Sequence, residues 1–261
     1  MRQIIVTEKF REAIREIETK RELKRMMLVC DRSFWELPTC REYDSQEVIA
    51  CTFNGFSSNP KKEEILRGVE RFLGRGCDSL LAVGGGSCID TAKCIRHFSK
   101  KQVPLIAVPT TAGTGSESTM FAVCYVHDEK QSISGDDMLP DYAFLDARNL
   151  RTLPLYQKKC TVADALCQAV ESCWSVRRTE ESRVLAEAAI RDILAFAYGY
   201  FHGDDQCAEA MMQAANRSGR AICISQTTAA HAMSYKMTSL YRLPHGRAAF
   251  VSLPYVWEYM V

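Results

Sequence analysis

The amino-acid sequence predicts an α/β domain with a parallel sheet, followed by an all-α domain. In the first half, short apolar runs alternate with segments of helical periodicity, which is typical of a parallel sheet with helices on both faces. After Asp146 glycine becomes rare, and long stretches rich in Ala, Met and Leu predict helices. A chain of 261 residues has room for two modest domains. We place the boundary near Leu153 and Pro154, which gives domains of residues 1–154 and 155–261 with a cleft between them.

The elements of the first domain follow from short-range patterns. Uninterrupted apolar runs predict buried strands, and apolar residues at intervals of three and four predict helices. The predicted strands are Met26–Cys30, Val48–Phe53, Leu80–Val83 and Leu105–Val108, and the predicted helices are Lys61–Gly74 and Cys88–Phe98. Alternating residues in Met120–Ser134 predict exposed strands or a hairpin instead, and the free strand edges could support a homodimer.

The second domain is predicted to contain long helices. They span Lys159–Ser175, Glu181–Tyr200 and Gln206–Ser225. The first of these helices has two faces of opposite character. Its apolar face is predicted to be buried and consists of Leu166, Ala169, Val170, Cys173 and Trp174. On periodicity alone its polar face is predicted to be solvated, and it consists of Asp164, Gln168, Glu171 and Ser175.

Composition narrows the class of function. A net charge of +1 gives no electrostatic basis for binding duplex nucleic acid or an anionic membrane. No apolar stretch is long enough to span a membrane, and the N-terminus lacks the pattern of a secretory signal. The twelve cysteines form no C-x-x-C pair and are predicted to act as small buried residues in a reducing compartment. We therefore expect a cytoplasmic protein without nucleic-acid or membrane partners.

Two glycine-rich segments follow predicted strands. Gly84-Gly85-Gly86-Ser87 leads from a strand into a helix, where backbone N–H groups and the helix dipole can hold a phosphate. It is not a G-x-G-x-x-G fingerprint, because Ile89 stands where the third glycine would be, and a tight turn without a ligand is the alternative. The second segment, Pro109–Glu117, is rich in hydroxyl groups and glycine. Because adjacent parallel strands end at the same edge of a sheet, the two segments together predict a ligand crevice.

Asp31 ends the first predicted strand. A carboxylate at this position can accept hydrogen bonds from a ribose hydroxyl and repel a 2′-phosphate, which would favour NAD over NADP. The alternative is that Asp31 caps the turn formed by Arg32 and Ser33.

Two histidines are candidates for a metal site. His231 lies in an alanine-rich segment, and His245 lies between Pro244 and Gly246 in a tight turn. Two imidazoles and a carboxylate suit a divalent transition metal, whereas two structural histidines are the alternative. The remaining histidines are predicted to be surface or loop residues: His97, His127 and His202.

Four motifs in sequence order resemble those of the iron-containing, group III alcohol dehydrogenases. They are VGGGSCIDTAK from Val83, PTTAGTGSES from Pro109, DALCQAVES from Asp164 and HAMSYKMTSLYRLPHG from His231. The resemblance extends from about Met26 to the end of the chain. Together with the variants Gln168 and Tyr235, the segment Phe53–Pro60 is most similar to the phosphonoacetaldehyde reductase branch.

This resemblance implies a Rossmann-like dinucleotide-binding domain and a helical metal-binding domain, an architecture similar to that of dehydroquinate synthase. The implied NAD-binding residues are Asp31, Gly84, Gly85, Gly86, Ser87, Asp90, Thr110, Thr111 and Thr114. The implied ligands of Fe²⁺ or Zn²⁺ are Asp164, Gln168, His231 and His245.

Two positions depart from the family pattern, and the chain is short. Gln168 stands where the family usually has a histidine ligand, and Tyr235 stands where many members have a histidine that relays a proton. Tyr235 and His245 are the implied catalytic residues. Family members continue well past the PHG histidine, so we expect the helical domain to be truncated.

The implied function is hydride transfer between NAD(H) and a small alcohol or aldehyde, with a metal ion polarising the carbonyl oxygen. Lys236, Arg242 and Arg247 could favour an anionic substrate such as phosphonoacetaldehyde, or they could be surface charges. The alternatives are a truncated, non-catalytic nucleotide-binding protein and a catalyst of the dehydroquinate synthase type.

Overall fold

The computed structural model describes residues 3–7, 9–44, 48–127 and 129–260. Contacts between residues divide the chain into two units. Unit 1 contains residues 1–110 and 120–152, and unit 2 contains residues 111–119 and 153–261. The short segment 111–119 therefore belongs with the helices of unit 2, although the chain on both sides of it belongs to unit 1.

Unit 1 is an α/β unit. Its helices are α1 (Phe10–Arg21), α2 (Cys40–Asp44), α3 (Lys62–Gly74) and α4 (Gly86–Ser99). Its strands are β1 (Gln3–Val6), β2 (Met26–Cys30), β3 (Ile49–Phe53), β4 (Ser79–Gly84), β5 (Leu105–Pro109), β6 (Phe121–Val126), β7 (Glu129–Ser134) and β8 (Tyr142–Leu145). Among the described residues, six strands form a parallel sheet in the order β1-β8-β5-β4-β2-β3. The predicted fold class is thus confirmed.

The central strands of the sheet are fully buried, which explains why their sequences predicted strands clearly. Every residue of β2, β4 and β5 is buried, since helices cover the sheet, and such strands have continuous apolar sequences. Cys30 pairs with Val83, and Gly84 pairs with Pro109. The carboxyl ends of the three strands therefore lie side by side, which brings Asp31 close to the glycine-rich turn.

The predicted hairpin is confirmed as well. Strands β6 and β7 pair antiparallel, with Phe121 opposite Ser134, and form a separate two-stranded sheet. One face of β6 packs against the core of unit 1 through Ala122 and Cys124, whereas β7 is largely exposed.

Unit 2 is helical. In its described residues the helices are α5 (Leu155–Trp174), α6 (Glu180–Phe201), α7 (Asp205–Ser225), α8 (Ala229–Tyr241) and α9 (His245–Met260). Thr179 and Ser182 form a capping box at the start of α6, and Asp204 caps α7 by accepting from the N–H of Cys207. In the described part of the chain, no helix has the length and apolar character needed to cross a membrane. All twelve cysteines lie in the described ranges, and none is exposed or disulfide-bonded there.

Candidate functional site

In unit 1, the turn between β4 and α4 has the backbone geometry of an anion site. A Cβ atom at Gly84 would lie 2.5 Å from Cβ of Cys88, so glycine is needed for α4 to begin directly after β4. Gly85 occupies the N-cap position of α4 and provides no side-chain hydrogen bond. The N–H groups of the first helical turn are therefore suited to an anionic ligand, which the helix dipole also favours.

Asp31 lies at the end of β2 and caps a short turn. Its Oδ1 accepts hydrogen bonds from the N–H of Ser33 at 2.9 Å and from the Ser33 hydroxyl at 2.5 Å. Its Oδ2 would lie 3.5 Å from a Cβ atom at Gly84, so this oxygen faces the glycine-rich turn. Asp31 therefore caps the turn, as one of the two alternatives predicted. Binding of a ribose hydroxyl by Asp31 stays a prediction, with which the orientation of Oδ2 is compatible.

Two other predicted cofactor residues hold neighbouring segments of unit 1. The hydroxyl of Ser87 donates to the carbonyl oxygen of Ser58. The carboxylate of Asp90 accepts from the N–H of Val123 at 2.9 Å and lies 3.7 Å from Nζ of Lys93. The Ser87 side chain therefore holds the loop before α3, and the Asp90 side chain holds the β6–β7 hairpin. Because the hydroxyl of Ser87 is engaged in this way, the group of Ser87 that could bind a phosphate is its backbone N–H.

The three predicted cofactor threonines are divided between the units. Thr110 is buried in unit 1, where its N–H donates to the carbonyl oxygen of Gly84 at 3.1 Å. Thr111 and Thr114 lie in the segment 111–119 of unit 2. Their part in cofactor binding stays a prediction.

The segment 111–119 is packed into unit 2. Gly115 has a φ of +60°, and a Cβ atom there would collide with Cα of Gly219 in α7. Nδ2 of Asn216, also in α7, donates to Glu117 Oε1 at 2.9 Å. The glycine that sequence reasoning assigned to a ligand loop thus serves close packing between this segment and a helix.

The polar face of α5 is buried, so the prediction that it is solvated is wrong. Its members are Asp164, Gln168, Glu171 and Ser175, with exposed fractions of 3%, 4%, 0% and 5%. By contrast, Leu166, Cys173 and Trp174 of the apolar face are only partly buried. Helical periodicity identifies residues that share a face, but it does not tell whether that face meets solvent or other helices.

Three of the predicted metal ligands come together in unit 2. Asp164 on α5, His231 on α8 and His245 on α9 each place one donor atom within 4.8 Å of the others. Nε2 of His231 lies 3.4 Å from Oδ1 of Asp164, and Nε2 of His245 lies 3.9 Å from the same oxygen. Asp164 and His231 are buried, whereas His245 is partly exposed. The cluster therefore has a protected side and an accessible one.

Gly246 allows His245 to approach Asp164. A Cβ atom at Gly246 would collide with the carbonyl oxygen of Cys160 and would lie 2.7 Å from Cβ of Asp164. Only glycine lets the first turn of α9 pack directly on α5. Gly246, the residue after His245, is thus needed to bring His245 close to Asp164.

Glu171 contacts the cluster through His231, although the sequence placed it only on the polar face of α5 and did not assign it to the site. It is fully buried, and its Oε2 bonds to Nδ1 of His231. Its Oε1 accepts from the N–H groups of Thr228 at 3.1 Å and Ala230 at 2.9 Å at the start of α8. Glu171 therefore caps α8 and fixes the imidazole ring, so that Nε2 faces Asp164.

The electrostatics of His231 follow from these neighbours. Burial by itself lowers the pKa of His231, but the carboxylates of Asp164 and Glu171 outweigh it and raise that pKa to about 9. Burial likewise raises the pKa of Glu171, but the hydrogen bonds and charge of His231 hold it below its ordinary value.

The donor set fits a divalent metal ion. Nε2 of His231 is buried and faces Oδ1 of Asp164 at 3.4 Å without the alignment of a hydrogen bond, and a cation held between the two atoms would satisfy this nitrogen. One carboxylate oxygen and two imidazole nitrogens suit Fe²⁺ or Zn²⁺.

Gln168, the fourth predicted ligand, lies beside Asp164. Its Nε2 donates to Oδ2 of Asp164 and to the carbonyl oxygen of Thr114, both at 3.3 Å. Its Oε1 accepts from the hydroxyl of Ser218 at 3.3 Å. The amide is thus held at both ends by unit 2.

Tyr235 stacks on His245, the other residue that the family resemblance implies to be catalytic. The two rings are 6.1 Å apart between centroids and inclined by 17°. Burial raises the pKa of the Tyr235 phenol, an effect that a hydrogen bond with Thr227 partly offsets. Tyr235 therefore carries its proton at neutral pH.

The remaining charged candidates are peripheral. The side chains of Lys236, Arg242 and Arg247 are exposed. His127 and His202 are exposed as predicted. His97 lies in α4 and is partly exposed, with Nδ1 2.6 Å from Oδ2 of Asp137.

Comparisons with known proteins show the family of the chain. The family model described as iron-containing alcohol dehydrogenase matches residues 2–147. The model for the C-terminal part of the Fe-containing alcohol dehydrogenase family matches residues 159–261.

The curated relatives include a probable alcohol dehydrogenase, EutG, of Escherichia coli, which is 33% identical over 75% of this chain and 55% of its own length. The phosphonoacetaldehyde reductase of Streptomyces viridochromogenes is 34% identical over 70% of this chain and 53% of its own length. This chain thus spans about half the length of these relatives.

Solved structures are also similar. The sulfoacetaldehyde reductase of Bifidobacterium kashiwanohense in complex with NAD⁺ has a TM-score of 0.90 and 26% identity, over 98% of this chain and 74% of that one. A 1,3-propanediol oxidoreductase has a TM-score of 0.92 and 27% identity, over 98% and 73% of the two chains.

Proposed function

Because the chain belongs to the iron-containing alcohol dehydrogenase family, we propose that it is a metal-dependent oxidoreductase that transfers hydride between NAD(H) and a small alcohol or aldehyde. The observation that carries the proposal is the cluster of Asp164, His231 and His245, with donor atoms within 4.8 Å of one another. A divalent ion bound there supplies a Lewis acid for the carbonyl or alkoxide oxygen.

The chain's own residues have distinct parts in this proposal. Asp164, His231 and His245 hold the ion, and the charge of Asp164 offsets part of the ion's charge. The N–H groups of Gly86 and Ser87 bind the pyrophosphate at the N-terminus of α4. Oδ2 of Asp31 accepts from the adenosine ribose and disfavours the 2′-phosphate of NADP.

Tyr235 is proposed as the hydrogen-bond donor of the site. Its raised pKa keeps Oη protonated near neutral pH, so it can donate a hydrogen bond to an oxygen that gains negative charge. A phenol gives up its proton less readily than an imidazole, since the ordinary pKa values are about 10 and about 6.5. We therefore place Tyr235 as a donor to substrate oxygen rather than as a proton shuttle.

An anionic aldehyde is the finer proposal for the substrate. Two of the similar proteins are named for phosphonoacetaldehyde and sulfoacetaldehyde, both of which carry an anionic group. The residues proposed to bind such a group are exposed cations that lie close in sequence to His231 and His245: Lys236, Arg242 and Arg247.

The test is NADH oxidation by the purified, metal-loaded protein with phosphonoacetaldehyde and with an uncharged aldehyde of similar size. We expect turnover of at least one aldehyde, and its loss in Asp164→Asn. A preference for phosphonoacetaldehyde supports the anionic substrate, and equal turnover contradicts that part alone. If the protein binds NADH but none of the aldehydes tested leads to its oxidation, the protein is a non-catalytic nucleotide-binding member of the family.

A further inference from the structure

We propose that Gln168 is a positioning residue for Asp164 and not a metal ligand, so that the protein holds its ion through three side chains only. This inference rests on the proposed function, because it concerns the same ion. It differs from the expectation, drawn from the family pattern, that Gln168 replaces a histidine ligand through its carbonyl oxygen.

The acceptors around Gln168 fix which end of the amide faces Asp164. The atom at this end lies 3.3 Å from the backbone carbonyl oxygen of Thr114 and 3.3 Å from Oδ2 of Asp164. A carbonyl and an ionised carboxylate accept hydrogen bonds and do not donate them. Only the amide NH₂ satisfies both, whereas Oε1 in the same place would face two acceptors.

The other end of the amide points toward α7. Oε1 of Gln168 lies 3.3 Å from the hydroxyl of Ser218, whose single hydrogen is shared between this oxygen and the carbonyl oxygen of Ala165 at 2.8 Å. Gln168 is buried, so water does not replace these bonds. Turning Oε1 toward an ion at Asp164 would break the bond to Thr114 and leave a buried carbonyl oxygen unsatisfied.

The consequence falls on Asp164. Gln168 engages Oδ2, and Oδ1 is the oxygen that lies 3.4 Å from Nε2 of His231 and 3.9 Å from Nε2 of His245. The amide therefore sets the plane of the carboxylate and selects Oδ1 as the ligand atom. Three protein ligands leave coordination positions open, as in catalytic rather than structural zinc sites.

The first experiment measures Zn²⁺ affinity by chelator competition in the full chain. Gln168→Ala is expected to bind one ion with an affinity about 10- to 100-fold weaker, the usual effect of losing a residue that orients a ligand. Asp164→Asn is expected to bind far more weakly still. Gln157→Ala, at an exposed glutamine on the same helix, is the matched control and should bind as the unaltered protein does.

The second experiment records the absorption spectrum of the Co²⁺-loaded protein, which reports the ligands directly. Gln168→Ala should keep the coordination number of the unaltered protein, read from the intensity of the visible bands, while the band positions shift because the carboxylate is less well oriented. Gln168→His, which adds a nitrogen donor, should change the intensity. A changed coordination number in Gln168→Ala, or loss of binding as complete as in Asp164→Asn, overturns the proposal.

A crystal structure of the unaltered Zn²⁺-loaded protein decides the matter even if the variants do not fold. The proposal requires Oε1 of Gln168 to lie well beyond a coordination bond of about 2.2 Å. Coordination by Oε1 overturns this inference and leaves the proposed function intact. A protein that binds no divalent ion at all overturns both.

Discussion

Nδ1 of His231 is bonded to the fully buried carboxylate of Glu171, and this contact decides which nitrogen of His231 faces Asp164 and His245. Glu171 also accepts from the backbone at the start of α8, so the same carboxylate positions both the ring and the helix that carries it. A histidine ligand held in this way has a fixed tautomer and a more basic free nitrogen.

Replacing Glu171 by glutamine should weaken Zn²⁺ binding by about 10- to 100-fold, because the neutral amide no longer increases the basicity of His231. Chelator competition measures the effect. Glu181→Gln, at an exposed position on α6, serves as the control and should bind normally. Unchanged affinity in Glu171→Gln would mean that the charge of Glu171 does not act on the ion.

Gly246→Ala should destabilise unit 2 by roughly 1–3 kcal/mol and lower its metal content, since the new Cβ would force α9 away from α5. Urea unfolding and metal analysis report the two effects. Gly74→Ala is the matched control, because a Cβ atom at Gly74 meets nothing within 4 Å. Equal stability of the two variants would show that α9 does not depend on this close approach.

Asp31→Ser should reduce the preference for NADH over NADPH by about tenfold, the effect of roughly 1.4 kcal/mol in binding. Serine retains an oxygen that can cap the turn before Ser33, so the substitution removes mainly the negative charge. Fluorescence titration with each cofactor measures the ratio. If both affinities stay unchanged, Asp31 acts only as a cap.

Glu64 should make the stability of unit 1 depend on pH. Burial by itself raises the pKa of Glu64, but hydrogen bonds from the N–H groups of Lys61 and Ser57 hold it below its ordinary value. Because the folded-state pKa is depressed, the contribution is present above the unfolded pKa of about 4.3 and is lost as pH falls through the folded-state pKa. Urea unfolding should therefore show Glu64→Gln to be less stable than the unaltered protein at neutral pH, with the difference closing in acid. A pH-independent difference would exclude the charged form as the cause.

The sequence predicted those parts of the fold in which local pattern and burial coincide. Strands β2, β4 and β5 are buried on both faces, so their apolar runs were sufficient evidence. Strands β1 and β8 were not predicted. Strand β1 is mostly exposed and so lacks a continuous apolar run, whereas β8 is fully buried and its apolar residues Tyr142–Leu145 are a signal that was missed. Helix α1 was also missed, although Phe10, Ile14 and Ile17 have helical spacing and are buried.

The sequence identified three candidate ligands of the site, but it did not predict how the residues around them pack. Asp164, His231 and His245 were identified as candidate ligands, yet helical periodicity pointed to a solvated α5 face, because it does not reveal what packs against that face. Glu171 contacts His231, which is distant along the chain, so no local pattern signals the pairing.

The placement of residues 111–119 has a consequence for how unit 2 is encoded. Its helices begin at Leu155, but the partner of Asn216 and the glycine that fits against Gly219 come from an earlier stretch, enclosed on both sides by chain of unit 1. Neither half is therefore a continuous piece of the gene product. Dividing the chain near residue 153 would therefore separate the helices of unit 2 from the segment 111–119, which packs into their interior.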